Sequence, residues 1–136
     1  SELLNLKPED INLQAGTMKG GTKTKAGKDR VVPIHSKIRA LVEARLAEGG
    51  PRLISYNGRA CSQTQYRVFW ADIMKALEMN HTPHECRHTF ETQLDSAGAN
   101  RKCIDLLMGH VSKDTGNRVY NHKTLDELKA TVELIQ

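Results

Sequence analysis

Apolar and polar residues alternate over short runs in the first quarter of the chain. Ile11 and Leu13 alternate with polar neighbours, and a second apolar run ends at Pro33 and Ile34. Alternation with a period of two is typical of half-buried strands, and the glycines between the runs favour turns. Residues 10–34 are therefore predicted to form a three-stranded antiparallel meander. Because proline cannot donate a backbone hydrogen bond, Pro33 would either place the last strand at an edge or end it.

Beyond this region the apolar positions recur at helical spacing. Ser36 is predicted to cap the first helix, and the Ser62–Gln65 capping-box pattern opens the second, with a loop over residues 52–60 between them. Further helices are predicted for the leucines before Pro8, from Pro83 to about Ser96, from Asn100 to Met108, over 114–119 and over 124–135. The sequence thus predicts an α+β fold that is mainly helical, with a small three-stranded antiparallel sheet near the N-terminus. The side chains predicted to face inward on these helices are Ile38, Leu41, Val42, Leu46, Phe69, Ile73, Met74, Leu77, Leu125, Leu128, Val132 and Ile135.

Positive charge is concentrated in one stretch of the chain. The 136 residues carry 20 Lys and Arg against 16 Asp and Glu, a net charge of +4. Residues 19–30 hold five cations and one acid, so the whole excess lies there, and a local patch of this kind favours contact with an anion. The length predicts one domain, and three unpaired cysteines favour a reducing cytoplasm. No apolar run approaches the roughly 20 residues of a membrane span.

The densest polar cluster is His84-Glu85-Cys86-Arg87-His88. As H-E-x-x-H on a helix, it places His84 and His88 on one face, where both could bind zinc with Glu85 as the base, although no third ligand is obvious. As H-x-x-R, the same residues place a histidine beside Arg87, whose planar guanidinium can hold a phosphate through two hydrogen bonds. A zinc site gains nothing from this arginine, whereas a phosphate site needs one.

Three weaker signals accompany this cluster. Gly109-His110 follows an apolar helix, which would point the histidine from a helix end into a cleft. Tyr120 stands in a polar stretch downstream. The hairpin residues 22–30 are rich in lysine, which can contact a phosphate or donate a proton. Each signal taken alone also fits an ordinary surface role.

In their order along the chain, these residues resemble the catalytic domain of the tyrosine recombinases, the phage and transposon integrase family. The shared pattern is a lysine on a β-hairpin, then H-x-x-R, then G-H after a helix, then a tyrosine near the C-terminus. The opening Ser1-Glu2-Leu3 resembles the end of the family segment R-x-S-E-L, and Arg30-Val31-Val32-Pro33-Ile34 resembles its hairpin. The resemblance covers nearly the whole chain. It implies cleavage and rejoining of DNA strands without a metal or another cofactor.

The resemblance also implies a role for each residue of the pattern. Tyr120 would attack a DNA phosphate and form a 3′-phosphotyrosine link, releasing a 5′-hydroxyl. Arg87 would hold the non-bridging oxygens in the transition state, and His110 would donate to a phosphate oxygen. His84 would assist proton transfer at the tyrosine or donate to the phosphate.

The lysine of the hairpin would protonate the leaving 5′-oxygen. Lys23 is favoured because Thr-Lys-Thr is the usual family setting, and Lys25 is its competitor. The basic residues predicted to contact DNA are Lys19, Lys25, Lys28 and Arg30. Contacts of this kind make DNA binding depend on the salt concentration.

The resemblance further implies that residues 1–136 are a fragment of the catalytic domain, without the N-terminal DNA-binding domain and the first part of the catalytic domain. A second clamp arginine would lie two positions before Ser1, so the chain by itself is expected to cleave poorly and bind DNA weakly. Expected partners are double-stranded DNA and, at full length, further copies in a tetrameric synapse, in the cytoplasm at the nucleoid. The C-terminal helix (124–136) would pack either on its own core or on a neighbouring copy.

Other classes of protein stay open at this point. A zinc hydrolase using H-E-x-x-H would leave Lys23, Arg87 and Tyr120 without a role. A non-catalytic DNA-binding module would bind DNA without forming a covalent adduct. A type IB topoisomerase would share the tyrosine chemistry but would not bring two DNA sites together.

Overall fold

The computed structural model of the protein describes residues 2–21, 30–110 and 124–136. Within these ranges the predicted α+β class is confirmed, with a small antiparallel sheet near the N-terminus and five helices after it. The helices are α1 (Glu2–Asn5), α2 (Ser36–Ala47), α3 (Gln63–Ala76), α4 (Glu85–Ser96), α5 (Arg101–Met108) and α6 (Leu125–Val132), and a 3₁₀ turn (Pro8–Asp10) follows α1. The strands are β1 (Ile11–Asn12), β2 (Thr17–Gly20), β3 (Arg30–Pro33), β4 (Ser55–Tyr56) and β5 (Arg59–Ala60). None of the helices in the described ranges is both long and apolar enough to cross a membrane.

The N-terminal sheet has the order β1-β2-β3, with antiparallel pairing throughout. Met18 in the central strand pairs with Ile11 on one side and Val32 on the other. Pro33 lies on β3, which is an edge strand of this sheet, as predicted. The hairpin segment 22–29 and the predicted helix over 114–119 lie outside the described residues.

The described residues form two clusters of buried apolar side chains. The first joins α4, α5 and α6 and contains Leu94, Cys103, Ile104, Leu107, Met108, Leu128 and Val132. The second lies between the sheet and α2 and contains Leu6, Ile34, Val42 and Leu53. Val32 packs against the first cluster and Ile34 belongs to the second, so the end of β3 connects the two.

Most of the predicted helix caps are present. Ser62 and Gln65 form a complete capping box at α3, and Asn100 accepts a hydrogen bond from the backbone of Lys102 at α5. The prediction that Ser36 caps α2 was wrong by one residue. The cap is His35, whose ring accepts from the Lys37 backbone nitrogen. Histidine is not among the usual N-cap residues, so the propensity argument selected the serine beside it.

The predicted inward face of α2 was half right, because Val42 and Leu46 contribute to the second cluster, and that of α3 was largely wrong. In α2, Val42 is buried, but Leu41 is 65% exposed. In α3, Ile73 is 49% exposed and Leu77 is 59% exposed. Helical periodicity identifies an apolar stripe without stating how much of it another element covers. The contacts of α3 include an edge-to-face pair between Tyr56 and Phe69 and a hydrogen bond from Trp70 Nε1 to the His81 carbonyl.

The segment 52–60 was predicted as a loop and contains a small hairpin instead. Strands β4 and β5 pair antiparallel, with Ser55 opposite Ala60. The two residues between them, Asn57 and Gly58, both have positive φ, at 50° and 72°. Asn-Gly is the preferred pair for this tight turn, so the sequence did carry the signal.

Helix α6 packs on its own chain, against α5 and β3. The residues after it are held by the start of α2. Both carboxylate oxygens of Glu133 accept hydrogen bonds from Ser36, from its backbone nitrogen at 2.7 Å and its hydroxyl at 2.6 Å. The ring of His35 accepts from the Lys37 nitrogen at Nδ1, so its Nε2 donates to the Ile135 carbonyl at 2.9 Å.

We expect Glu133→Gln to weaken this C-terminal contact in a pH-dependent way. Hydrogen bonds from Ser36 hold the pKa of Glu133 below its usual value of 4.5. A carboxyl whose pKa is lower in the folded than in the unfolded state stabilises the fold above the unfolded pKa, and this contribution is lost as pH falls through the folded value. Thermal unfolding should therefore show wild type more stable than Glu133→Gln at neutral pH, with the difference vanishing in acid. A difference independent of pH would contradict this assignment.

Candidate active site

The C-terminal end of α5 organises the candidate site. Gly109 adopts the left-handed conformation, with φ 68°, directly after the last helical residue. This conformation is costly for residues with a side chain and ends the helix abruptly. The backbone nitrogen of His110 then donates to the Asp105 carbonyl at 2.9 Å. The sharp exit that the Gly-His pair predicts is therefore present, and it fixes the backbone of His110.

Arg87 reaches this helix end from the first turn of α4. Its Nη2 donates to the Met108 carbonyl at 2.5 Å and lies 3.0 Å from Nε2 of His110. A guanidinium can only donate, so Nε2 of the histidine accepts and the ring proton is on Nδ1. That nitrogen lies 3.9 Å from the Asp105 carboxylate. The H-x-x-R and G-H motifs, 23 residues apart in sequence, thus meet side chain to side chain.

His84 lies at the same end of α4 as Arg87. It occupies the N-cap position, and its carbonyl accepts from the backbone nitrogen of Arg87 at 3.0 Å. Its exposed ring stands edge-to-face with the ring of His88, with centroids 5.0 Å apart. Both histidines are therefore accessible beside the arginine.

Glu85 does not have the surroundings of a catalytic base. Its carboxylate accepts a hydrogen bond from the Thr82 backbone nitrogen and faces the ring of His81 at 3.5 Å. These contacts lower the pKa of Glu85 and make it a weaker base, and the hydrogen bond from Thr82 has the largest effect. In the described ranges, no group of three or more His, Cys, Asp and Glu side chains is placed to hold a metal ion. The zinc hypothesis therefore lacks a third ligand among these residues.

The predicted DNA-contacting residues that are described have different surroundings. Lys19 is exposed on β2, beside a small cavity that Glu2 and Asp10 also line. Arg30, the first residue of β3, has a side chain only 16% exposed. The remaining predicted site residues are outside the described residues, and these are Lys23, Lys25, Lys28 and Tyr120.

The sequence did not indicate what holds the arginines. Arg30 donates through Nε to the Leu107 carbonyl at 3.0 Å and forms an ion pair with Glu2 at 2.8 Å. Arg87 uses the next carbonyl, that of Met108. Cations stabilise the end of a helix where carbonyls are left without partners. The apolar run ending at Gly109 was the only sequence signal for such an end.

Behind the small sheet, an arginine and a histidine thus meet at the end of α5. The chain belongs to the phage integrase family, whose match extends over residues 1–127. The resemblance found in the sequence is thereby confirmed.

Relatives with assigned names are similar over nearly the whole chain. The tyrosine recombinase XerC of Pelobacter propionicus is 35% identical, over 94% of this chain and 44% of its own length. The tyrosine recombinase XerA of Thermococcus kodakarensis is 33% identical, over 98% of this chain and 49% of its own length. The tyrosine recombinase XerA of Pyrococcus furiosus is 34% identical, over 98% of this chain and 48% of its own length. The chain thus spans about half the length of these relatives.

Proposed function

We propose that the protein acts in site-specific DNA recombination, cleaving and rejoining strands through a 3′-phosphotyrosine intermediate. The observation that carries the proposal is the 3.0 Å approach of Arg87 Nη2 to His110 Nε2 at the end of α5. Two nitrogen-rich side chains at this distance can donate to neighbouring oxygens of one phosphate. Membership of the phage integrase family and the names of the relatives support the same activity.

Arg87 has further N–H groups, beyond those on Nη2, that could donate to a phosphate. A guanidinium carries five N–H groups, and the contacts of Arg87 to Met108 and His110 involve Nη2 alone. His110 accepts from the arginine only while its Nε2 carries no proton. With the ring proton on Nε2 instead of Nδ1, the histidine would donate, and both side chains could then bind an anion between them. This pairing suits a charge that increases during the reaction.

In the proposed reaction, the phenol oxygen of Tyr120 forms a bond to phosphorus while the bond from phosphorus to the 5′-oxygen breaks. The phenol proton passes to His84, and a hairpin lysine donates a proton to the leaving oxygen. Lys23 and Lys25 are both candidates for this acid. Arg87 and His110 stabilise the charge on the non-bridging oxygens. Rejoining reverses each transfer, so no net hydrolysis occurs.

Double-stranded DNA is the proposed substrate, with Lys19, Lys25 and Lys28 contacting its backbone. We infer that the whole protein assembles as a tetramer on two DNA sites. Leu128 and Val132 of α6 are buried in the core of their own chain. An exchange of α6 between copies would therefore have to open this contact first.

The proposal predicts a covalent adduct that depends on Tyr120. The full product of the gene is incubated with a pool of duplexes that carry randomised sites and a nearby nick. The nick lets the released 5′-hydroxyl strand diffuse away, which prevents rejoining. Adducts recovered under denaturing conditions and sequenced would identify the target site. We expect adducts with wild type, in the presence of EDTA, and none with Tyr120→Phe.

Tyr56→Phe is the matched control, because Tyr56 is 51% exposed and lies in the β4–β5 hairpin. Its adduct yield should equal that of wild type. DNA binding without any adduct would favour a non-catalytic binding module. Adduct formation without joining of two sites would favour a topoisomerase. Bound zinc, with EDTA-sensitive hydrolysis that Tyr120→Phe retains, would favour the metal hydrolase.

A further inference from the structure

We propose that Arg30 is a positioning residue, which fixes the base of the basic hairpin to the helix end that carries the phosphate-binding pair. The inference rests on the proposed function and deepens it. It replaces the prediction that Arg30 contacts DNA directly. In this role the arginine determines where the proton-donating lysine stands relative to the scissile phosphate.

The contacts of Arg30 are directed into the protein. Its side chain is 16% exposed, its Nε donates to the Leu107 carbonyl, and its Nη2 pairs with Glu2. A phosphate contact would need the guanidinium at the surface. Lys19, on the adjacent strand β2, is exposed and remains a candidate for contact with a DNA phosphate.

The two arginines bind consecutive carbonyls at one helix end. Arg30 takes that of Leu107 and Arg87 takes that of Met108. The last turn of α5 is thus bonded to both β3 and α4. Because the helix end carries negative partial charge, each guanidinium is attracted to the same place. Because Leu107 and Met108 are adjacent, a shift of Arg30 would therefore also move the carbonyl that Arg87 binds.

Arg30 is also the residue at which the hairpin returns to the sheet. It directly follows the segment 22–29 and pairs with Gly20 across β2 and β3. Anchoring this residue to α5 fixes the point at which the segment 22–29 joins the sheet. A proton donor displaced by about 1 Å can lose a factor of about 100 in rate.

Gly20 permits the ion pair that holds Arg30. A methyl group built on Gly20 would collide with Oε1 of Glu2, the oxygen that pairs with Arg30. Since this oxygen is at the end of a flexible side chain, Gly20→Ala should displace the carboxylate without unfolding the protein. The variant therefore weakens the anchor while leaving both charged side chains in place.

A sulfur leaving group distinguishes positioning from phosphate binding. The nicked DNA is made with sulfur in place of the 5′-oxygen, because a thiol is far more acidic than an alcohol and leaves without a proton donor. On ordinary DNA we expect Arg30→Gln to slow adduct formation by about 10- to 100-fold. On sulfur DNA its rate should return to within about threefold of wild type. Arg30→Lys and Gly20→Ala should show smaller defects that sulfur also repairs.

Lys19→Gln is the control for a true phosphate contact. It should reduce the slope of log affinity against log salt by about 0.9, and sulfur should not repair it. Arg30→Gln should leave that slope unchanged. A slope reduced by about one, or a defect that sulfur does not repair, would overturn the positioning role.

Amide hydrogen exchange tests the anchor independently of activity. Arg30→Gln should speed exchange in β3 and in the last turn of α5, while exchange within α2 stays as in wild type. Unchanged exchange at both anchored ends would overturn the proposal even if catalysis falls. If wild type forms no adduct on either DNA, the proposed function fails, and the exchange result still decides whether Arg30 anchors the hairpin.

Discussion

Arg87→Lys is expected to slow formation of the covalent protein–DNA complex by about 100- to 1,000-fold, the usual cost of losing one donor to a developing oxyanion. Arg87 donates to the Met108 carbonyl at 2.5 Å while facing His110 at 3.0 Å, so in the proposed function one side chain would serve both the helix end and the phosphate. Lysine keeps the charge but has one nitrogen instead of a planar fork. The measurement is the single-turnover rate of adduct formation on the captured target site.

Arg101→Lys provides the matched control for this substitution. Arg101 lies on α5, is 56% exposed, and pairs with Glu91 and Asp105. Exposed ion pairs contribute little, so the adduct rate should stay within about twofold of wild type. If Arg87→Lys reacted as fast as this control while remaining folded, the guanidinium would not be the phosphate clamp.

Leu94→Ala is expected to give the largest loss of stability, about 2–5 kcal/mol in the free energy of unfolding. Leu94 is fully buried, at 0% exposure, in the cluster that α4 shares with α5 and α6. Truncating it leaves a cavity in the core that holds α4, the helix that carries Arg87, against α5 and α6. Urea unfolding of wild type and variant measures the difference.

Leu41→Ala makes the same chemical change on α2, where the leucine is 65% exposed. We expect it to change the free energy of unfolding by less than about 0.5 kcal/mol. Equal losses for the two variants would show that the arrangement of α4, α5 and α6 is not the main core. It would also mean that the leucine of α2 is covered by something other than solvent.

The features that could be predicted from sequence are those set by local chemistry. The capping box of Ser62 and Gln65 joins residues three apart, and Asn100 caps the helix that starts directly after it. Gly109 ends α5 because glycine accepts a positive φ easily. These signals depend on neighbours in the chain, so no knowledge of the tertiary structure was needed.

The features that could not be predicted depend on distant contacts. His35 caps α2 while its ring also binds the Ile135 carbonyl, 100 residues away. Leu41 and Ile73 belong to the apolar faces of their helices. The spacing of apolar residues does not show how much of such a face another element buries. The order of motifs predicted that Arg87 and His110 lie in the same site. The α5 carbonyls that bind the arginines could not be predicted, because every residue has a backbone carbonyl whatever its side chain.

Arg30 shows the same limit at the candidate site. It ends a run of basic residues, and such a run most often faces solvent or an anion. Its guanidinium is instead mostly covered, between Glu2 and the Leu107 carbonyl. A cationic side chain in a sequence indicates that it pairs with an acceptor. The sequence does not show whether that acceptor belongs to DNA or to the protein itself.

The proposed function is tested most directly by locating the DNA on the protein. The adduct formed by the full product of the gene is digested with nuclease and protease, and mass spectrometry identifies the peptide that carries a nucleotide. We expect a nucleotide joined through its 3′-phosphate to Tyr120. A nucleotide on another residue, a link through a 5′-phosphate, or no link in a protein that binds its target site would contradict it.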